Sequence, residues 1–276
     1  MKTVAGIAGG AFSLFILVGM VSCLPSVSLK ERERSFAPFQ ELKIGGASLT
    51  RHLRERSAFV IAVDSVHLDK VPEIQTSEGK LALRTSKHFK LSSACAIDRR
   101  GYLITAAHCL QKERVLVGIP QDGGTAIVEA RVVFKGDPFV NHSDFAVLKV
   151  DRPLQKVFAW SPLLPPGSPA VSIGGTKITK PGGWGKGSFF SLVFMGGPLV
   201  KITEVAKGRD RWQLLTHEVP LGKGNSGGPL VATDGRLLGV NIEGIKLPPT
   251  ERTFKGRAVR PDLAWLKRII EQDARR

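Results

Sequence analysis

The chain has 276 residues, enough for one large domain or two small ones, and its 42% hydrophobic content allows a buried core. Its 30 glycines and 17 prolines favour strands and turns over a helical bundle. A net charge of +16 favours acidic partners, but the basic residues are scattered and carry no zinc-finger or RNA-binding motif, which argues against specific nucleic-acid binding.

The N-terminus has the pattern of an export signal. A charged start precedes an apolar stretch over residues 4–21, and small residues end it at Ser22 and Cys23. We predict a signal peptide over residues 1–22, whose last residues with Cys23, GMVSC, resemble a bacterial lipobox. A lipid on Cys23 would hold an exported protein on a membrane of the bacterial cell envelope, facing the periplasm or the exterior. Simple cleavage to a soluble product and an uncleaved single-span anchor are the alternatives.

Two cysteines remain once Cys23 is assigned to a lipid. Cys95 and Cys109 lie 14 residues apart, and the oxidising surroundings of an exported protein favour a disulfide between them. In the chain-entropy model, closing a loop of about 15 residues stabilises a protein by about 3 kcal/mol. Two unlinked buried thiols are the alternative. Neither cysteine belongs to a CxxC motif, so no metal site is indicated.

The first predicted elements follow a polar N-terminal region. Residues 23–57 are basic with scattered Pro and Gly, and we expect a tether between a membrane and a domain that begins at residue 58. Short runs rich in β-branched residues, from SAFVIAVDSV at 57–66 onward, predict the strands of a first half over about 58–160. The proline-rich stretch WSPLLPPGSPA, residues 160–170, predicts a connection.

The second half has the same short, apolar runs over about 161–258. Only at the end of the chain does the spacing of the apolar residues change to that of a helix. RPDLAWLKRIIEQ opens with Pro261 and spaces its apolar residues on one helical face, which predicts a helix over about 261–272. Two halves of short strands followed by one terminal helix predict an all-β fold of paired antiparallel barrels.

The segment GKGNSGGPL, residues 222–230, surrounds Ser226 with glycines. A serine hydroxyl attacks a carbonyl only when a base takes its proton and N–H donors stabilise the resulting oxyanion. Glycines let the backbone approach the substrate closely. GNSGG fits the GxSxG pattern of two unrelated folds. None of the six histidines follows Ser226, which excludes the order found in α/β-hydrolases.

The order His, Asp, Ser is present instead. LITAAHC places His108 beside Cys109, Asp144 begins the run DFAVLKV, and Ser226 follows. With these motifs, residues 58–270 resemble the chymotrypsin-like serine proteases. The resemblance implies two antiparallel six-stranded β-barrels, Ser226 as nucleophile, His108 as general base and acid, and Asp144 as the group that orients the imidazole. It also implies an oxyanion hole formed by the N–H groups of Gly224 and Ser226.

Further features follow from the same resemblance. Cys95 and Cys109 match the family's disulfide beside the catalytic histidine. Asn225 stands where digestive members carry an Asp that pairs with a newly freed N-terminus, so we expect an enzyme that is active without that step. The motifs are closest in style to bacterial members, and because the chain ends with a helix we expect no PDZ domain. No metal or cofactor is implied.

The resemblance also assigns a substrate pocket. Its base would be the residue six positions before the serine, which carries no charge and argues against trypsin-like selection of Lys or Arg. Glu243 would favour basic side chains, whereas Lys255 and Arg257 would favour acidic ones. The predicted pocket residues are Pro220, Ile242, Glu243, Gly244 and Gly256.

We therefore predict that residues 58–276 form a serine endopeptidase that cleaves protein or peptide substrates through an acyl-enzyme intermediate. One alternative is a non-catalytic homologue that uses the same scaffold to bind partners. Another is a basic module for acidic envelope polymers, which would show binding that weakens steeply with salt. Labelling of Ser226 by a fluorophosphonate separates the first two hypotheses.

Overall fold

The computed structural model describes residues 28–70, 75–77, 80–84, 88–121, 124–138, 143–180, 187–207, 210–245 and 255–276. The predicted signal peptide and its lipidation site, Cys23, lie outside these residues. Within the described ranges, no helix has both the length and the apolar character needed to cross a bilayer.

The N-terminal segment, residues 28–56, is folded. It contains a 3₁₀ turn at Ala37–Phe39 and four short elements: α1 (Leu29–Phe36), β1 (Lys43–Ile44), β2 (Ala47–Ser48) and α2 (Leu49–Arg54). Ser28 and Glu31 form a reciprocal capping box at the start of α1. The side chains of Phe36, Leu49 and Leu53 are buried. The predicted tether is therefore wrong over the described residues, because the apolar side chains of both helices pack into the core of the domain.

Barrel one is a closed antiparallel barrel in the order β10-β7-β6-β3-β8-β9. It begins with β3 (Ser57–Val63), all seven residues of which are buried. A 3₁₀ helix (Ser65–Lys70) and a hairpin, β4 (Gln75–Ser77) and β5 (Lys80–Arg84), follow. The other barrel strands are β6 (Phe89–Asp98), β7 (Tyr102–Thr105), β8 (Arg114–Gln121), β9 (Gly124–Lys135) and β10 (Ala146–Val150).

Barrel two has the strand order β11-β14-β15-β16-β13-β12, and pairing of β11 with β12 closes it. Strands β5 and β4 extend this sheet beyond β12. The fold class predicted from the sequence, two antiparallel six-stranded barrels, is confirmed. The strands are β11 (Pro169–Lys180), β12 (Gly187–Lys207), β13 (Asp210–His217), β14 (Pro229–Ala232), β15 (Leu237–Ile245) and β16 (Lys255–Pro261).

The terminal helix, α3 (Leu263–Asp273), follows barrel two in the chain but contacts barrel one. It begins two residues later than predicted, because Pro261 ends β16 and Asp262 caps the helix by accepting from the N–H of Trp265. Asp273 receives two hydrogen bonds of 2.8 Å from Arg131 and one of 3.0 Å from the hydroxyl of Tyr102. The helix thus ties the end of the chain to β7 and β9.

A shared hydrophobic cluster joins the two barrels. Barrel one contributes Cys95, Ile104 and Phe145, and barrel two contributes residues such as Val171 and Val240. Because the chain segments that carry the histidine, the aspartate and the serine motifs all contribute to this cluster or adjoin it, the candidate site lies at the interface between the barrels.

Candidate active site

His108 and Asp144 are in direct contact. Strand β7 ends at Thr105, and the following 3₁₀ turn, Ala107–Cys109, presents the His108 ring. One Asp144 carboxylate oxygen accepts from the His108 backbone N–H at 2.9 Å, and the other lies 2.7 Å from the ring Nδ1. The exposed fraction of the side chain is 34% for His108 and 11% for Asp144, so the pair is largely shielded while the ring keeps a solvent-facing side.

Asp144 governs the charge of the imidazole. Burial disfavours the charged ring, but the hydrogen bond to Asp144 and the contact with the neighbouring Cys109 outweigh it and raise the pKa of His108 to about 10. When the ring is neutral and its Nδ1–H donates to the carboxylate, Nε2 is left with a lone pair. The arrangement can therefore accept a proton at Nε2 and stabilise the cation that forms.

Ser226 lies in a tight turn, which we call the nucleophile turn (residues 222–228), before β14. Gly224 and Gly227 have left-handed backbone angles, with φ of 98° and 84°. The hydroxyl of Ser226 donates to the carbonyl oxygen of Ile242 at 3.3 Å. Among the hydrogen bonds of the described residues, none joins Ser226 Oγ to His108. The hydroxyl is thus held by barrel two in this structure.

The backbone N–H groups of the nucleophile turn divide into those with a protein acceptor and those without one. Asn225, Gly227 and Gly228 each donate their N–H to a backbone carbonyl. Over the described ranges of the chain, the N–H groups of Lys223, Gly224 and Ser226 have no protein acceptor, and the last two are those predicted to form the oxyanion hole. Two donors at alternate positions of one turn can bind a single anionic oxygen between them.

Ser93 of β6 connects barrel one to the nucleophile turn, and sequence reasoning missed it. Its hydroxyl donates to the carbonyl of Gly224 at 2.9 Å and accepts from the N–H of Gly175, also at 2.9 Å. Its backbone N–H donates to the carbonyl of Ser226 at 2.9 Å, and its carbonyl accepts from the hydroxyl of Thr105. The one available signal was a pair of adjacent serines among the apolar residues of β6.

Asn225 holds the same turn from barrel two. Its side chain is fully buried, accepts from the N–H of Gly222 at 2.6 Å and donates to the carbonyl of Gly175 at 3.0 Å. An aspartate could make the first bond but, when ionised, not the second. The Asn225 amide therefore pairs with both the N–H of Gly222 and the carbonyl of Gly175. An ionised carboxylate at this position would face the Gly175 carbonyl oxygen without a hydrogen bond.

Cys95 and Cys109 are both buried, and both are free thiols. The predicted disulfide is therefore wrong for this structure. The Cys95 thiol donates to the carbonyl of Gly227 at 3.4 Å, whereas the Cys109 sulfur lies 3.6 Å from Nε2 of His108. The two sulfurs thus have different partners.

The predicted pocket residues lie on adjoining elements of barrel two. Gly244 and Gly256 face each other across the β15–β16 ladder, and Ile242 and Pro220 are buried. Glu243 is exposed and forms an ion pair with Arg257 at 3.1 Å. Glu243 and Arg257, which could have selected oppositely charged substrates, therefore neutralise each other.

His217 is a buried residue behind this pocket that the motifs did not indicate. A Cβ placed on Gly256 would overlap its ring, which explains the glycine at this position. Burial lowers the pKa of His217 to about 3, so the ring is neutral, and its Nδ1 accepts from the N–H of Val219 at 3.2 Å. His217 thus adds a buried, uncharged side chain to the surroundings of the predicted pocket.

Residues 92–240, which contain His108, Asp144 and Ser226, match the family profile of the trypsin-like peptidase domain. The chain belongs to this family.

Two relatives of this chain come from Arabidopsis thaliana. Protease Do-like 1, chloroplastic, is 28% identical over 145 residues, which are 52% of this chain and 31% of the relative. Putative protease Do-like 14 is 28% identical over 176 residues, which are 55% of this chain and 35% of the relative. The chain therefore spans about a third of the length of these relatives.

Solved structures share the trypsin-like fold at lower identity. A serine endoprotease from Yersinia pestis superimposes with a TM-score of 0.51 and 21% identity, covering 81% of this chain and 64% of that chain. A protease from M. tuberculosis, in its active form, gives a TM-score of 0.50 and 16% identity, covering 77% of this chain and 78% of that chain. At these identities the likeness shows the fold.

Proposed function

We propose that this trypsin-like chain is a serine endopeptidase in which His108, Asp144 and Ser226 act as the triad. The observation that carries the proposal is the Asp144–His108 pair, which leaves Nε2 as the proton acceptor beside the interface where Ser226 is presented. Membership of the trypsin-like family and the similarity to Do-like proteases support the same conclusion.

The proposed reaction begins with rotation of the Ser226 side chain from the carbonyl of Ile242 toward His108. In substrate-free structures such catalytic hydrogen bonds are often absent or long and form in the complex. Ser226 Oγ then attacks the scissile carbonyl carbon while its proton passes to Nε2. Asp144 stabilises the imidazolium, and the carbonyl oxygen becomes an anion that the N–H groups of Gly224 and Ser226 bind.

Collapse of this intermediate breaks the C–N bond. The imidazolium of His108 returns its proton to the leaving amine, and the acyl group remains on Ser226. Water then attacks the ester carbonyl, with His108 accepting the proton of the water, and the second collapse releases the carboxylic acid and regenerates Ser226. No cofactor supplies a step in this sequence.

We further propose that the residue before the cleaved bond carries an uncharged side chain. Pro220 and Ile242 are apolar, His217 is kept neutral by burial, and Glu243 is paired with Arg257. A charged substrate side chain would lose its hydration in such a pocket without gaining a partner.

A fluorophosphonate probe tests the proposal directly. We expect covalent labelling of Ser226 in the wild-type protein, and none in Ser226→Ala or His108→Ala that retain the wild-type circular dichroism. Ser65→Ala, which removes an exposed hydroxyl outside the site, serves as the matched control and should be labelled like the wild type. A folded wild-type protein that neither reacts with the probe nor cleaves peptides would favour the non-catalytic binding scaffold.

Export and lipid anchoring at Cys23 are proposed on the sequence alone. The expected outcome in a bacterial host is incorporation of a labelled fatty acid into the wild-type protein and none into Cys23→Ala. Recovery of unlabelled wild-type protein from the soluble fraction would instead favour simple cleavage, and labelling of both variants would exclude Cys23 as the modified residue.

A further inference from the structure

The N-terminal helix α1 packs against the outside of barrel two. The ring of Phe36 lies 5.2 Å from that of Phe194, and the hydroxyl of Ser35 accepts from the backbone N–H of Gly196 at 3.0 Å. Leu29, at the start of the helix, packs against the same hydrophobic cluster as Leu221, the residue before the nucleophile turn. The helix is therefore in contact with the strands and the chain segment that lead to Ser226.

Arg32 projects from α1 toward the nucleophile turn and is 7% exposed. Its guanidinium lies directly against Gly222, so that a Cβ at this position would overlap the guanidinium carbon and both terminal nitrogens. Gly222 is not among the glycines with a left-handed φ, so it is Arg32 that excludes a side chain here. Burial lowers the pKa of Arg32, but an arginine remains charged.

Gly222 begins the turn that contains the proposed oxyanion donors. Its N–H donates to the side chain of Asn225 at 2.6 Å, and its carbonyl accepts from the Asn225 N–H at 3.0 Å. These two bonds close the turn around Lys223 and Gly224. A glycine with a left-handed backbone can readily adopt other conformations, so the direction of the Gly224 N–H depends on what holds the two ends of the turn.

We infer that Arg32 is a positioning residue that holds Gly222 and so keeps the Gly224 N–H directed at the oxyanion. The inference rests on the proposed serine endopeptidase activity. Asn225 and Ser93 hold the turn from the two barrels, and Arg32 holds it from the N-terminal segment. Its fixed positive charge also favours the negative charge that develops nearby in the transition state. The segment expected to be a tether is, on this inference, part of the catalytic domain.

A kinetic comparison of two arginines on one helix tests this inference. Arg34 is exposed on α1, so Arg34→Ala is the matched control for Arg32→Ala. We expect Arg32→Ala to lower kcat by about 10- to 100-fold, the effect of a small misplacement in a catalytic site, with KM changed by less than about 3-fold. Arg32→Lys should recover part of the loss, and Arg34→Ala should match the wild type. Equal kcat in both alanine variants would overturn the inference.

Amide hydrogen exchange gives a readout that needs no activity. We expect the peptide covering residues 218–230 to exchange faster in Arg32→Ala than in Arg34→Ala, while peptides from barrel one are unchanged. If the wild type reacts with a fluorophosphonate but Arg32→Ala shows neither faster exchange nor lower kcat, the inference fails and the proposed function stands. If the wild type does not react and exchange still increases, the proposed function fails and the contact with Gly222 stands.

Gly222→Ala tests the same contact from the other side and keeps Arg32, which covers the case in which Arg32→Ala folds poorly; where both single variants fold, a double-mutant cycle extends the test. Gly222→Ala places a Cβ against the guanidinium and should lower kcat while α1 stays in place. Because removing Arg32 also removes the overlap, Arg32→Ala/Gly222→Ala should cost less than the sum of the two single changes on a logarithmic scale. Strict additivity would contradict the contact.

Discussion

The two barrels contribute to the candidate site in different ways. Barrel one supplies His108 and Asp144, whose contacts with each other are made within that barrel. Barrel two supplies the nucleophile turn, which depends on Ser93 of barrel one, on its own Asn225 and on Arg32 of the N-terminal segment. The His108–Asp144 pair is thus assembled within one barrel, whereas the proposed nucleophile and oxyanion donors require several distant parts of the chain to be folded together.

The largest expected effect tests whether barrel two supplies the nucleophile. Ser226→Ala should reduce kcat/KM for a cleavable peptide by about 10³- to 10⁶-fold, because it removes the hydroxyl proposed to form the acyl-enzyme. Melting temperature and circular dichroism should remain those of the wild type. Equal peptidase activity in both folded proteins would show that Ser226 is not the nucleophile.

The next effect tests whether Asp144 controls His108. Asp144→Asn should lower kcat by about 10⁴-fold near neutral pH, because an amide neither stabilises the imidazolium nor selects the right tautomer. Only the neutral ring accepts a proton, and Asp144 raises the pKa of His108. Wild-type kcat/KM should therefore rise with pH along a limb whose midpoint lies above the ordinary histidine value of about 6.5.

In Asp144→Asn the midpoint of this limb should move to lower pH, and an unchanged midpoint would contradict the role of Asp144. The raised pKa of His108 also makes the stability of the folded protein depend on pH. A raised pKa stabilises the folded state below the unfolded value of 6.5, and this contribution is lost as pH rises through the folded value of about 10. The difference in free energy of unfolding between the two proteins should shrink over that range in urea titrations.

A smaller effect tests the connection between the barrels. Ser93→Ala removes the hydroxyl that joins Gly175 and Gly224, and should lower kcat by about 10-fold and the free energy of unfolding by about 1–3 kcal/mol. Ser92→Ala, a buried serine next to it in β6, is the matched control and should retain kcat. A loss of kcat in the control but not in Ser93→Ala would refute the assignment.

The smallest effect on activity is expected at the end of α3. Asp273→Asn weakens the bonds with Arg131 and Tyr102, and should cost about 1–3 kcal/mol of stability with kcat unchanged at temperatures where the protein is folded. The hydrogen bonds from Arg131 lower the pKa of Asp273. This stabilisation is present above the unfolded pKa of about 3.9 and is lost as pH falls through the lower folded value. Urea titrations at neutral and acid pH measure it, and a pH-independent difference would contradict this origin.

The sequence by itself determined the features that local patterns encode. The short strands and turns predicted two antiparallel barrels, which the structure confirms, and the order of His108, Asp144 and Ser226 predicted the trypsin-like family. Gly224 and Gly227 are required by the left-handed backbone of a single turn, so a few consecutive residues were enough to indicate that turn. The triad roles, the pocket and Cys23 stay predictions.

Only the tertiary structure decided the contacts between segments far apart in the chain. Ser93 lies 131 residues before Gly224, and no periodicity or motif connects them. The same holds for Arg32 and Gly222, and for Cys95 and Cys109, whose sulfurs have separate partners despite favourable spacing. Residues 28–56 read as a tether because their composition is polar, yet a few apolar side chains sufficed to dock them. Composition and spacing describe a segment alone, whereas burial and hydrogen bonding depend on the surfaces that folding places against it.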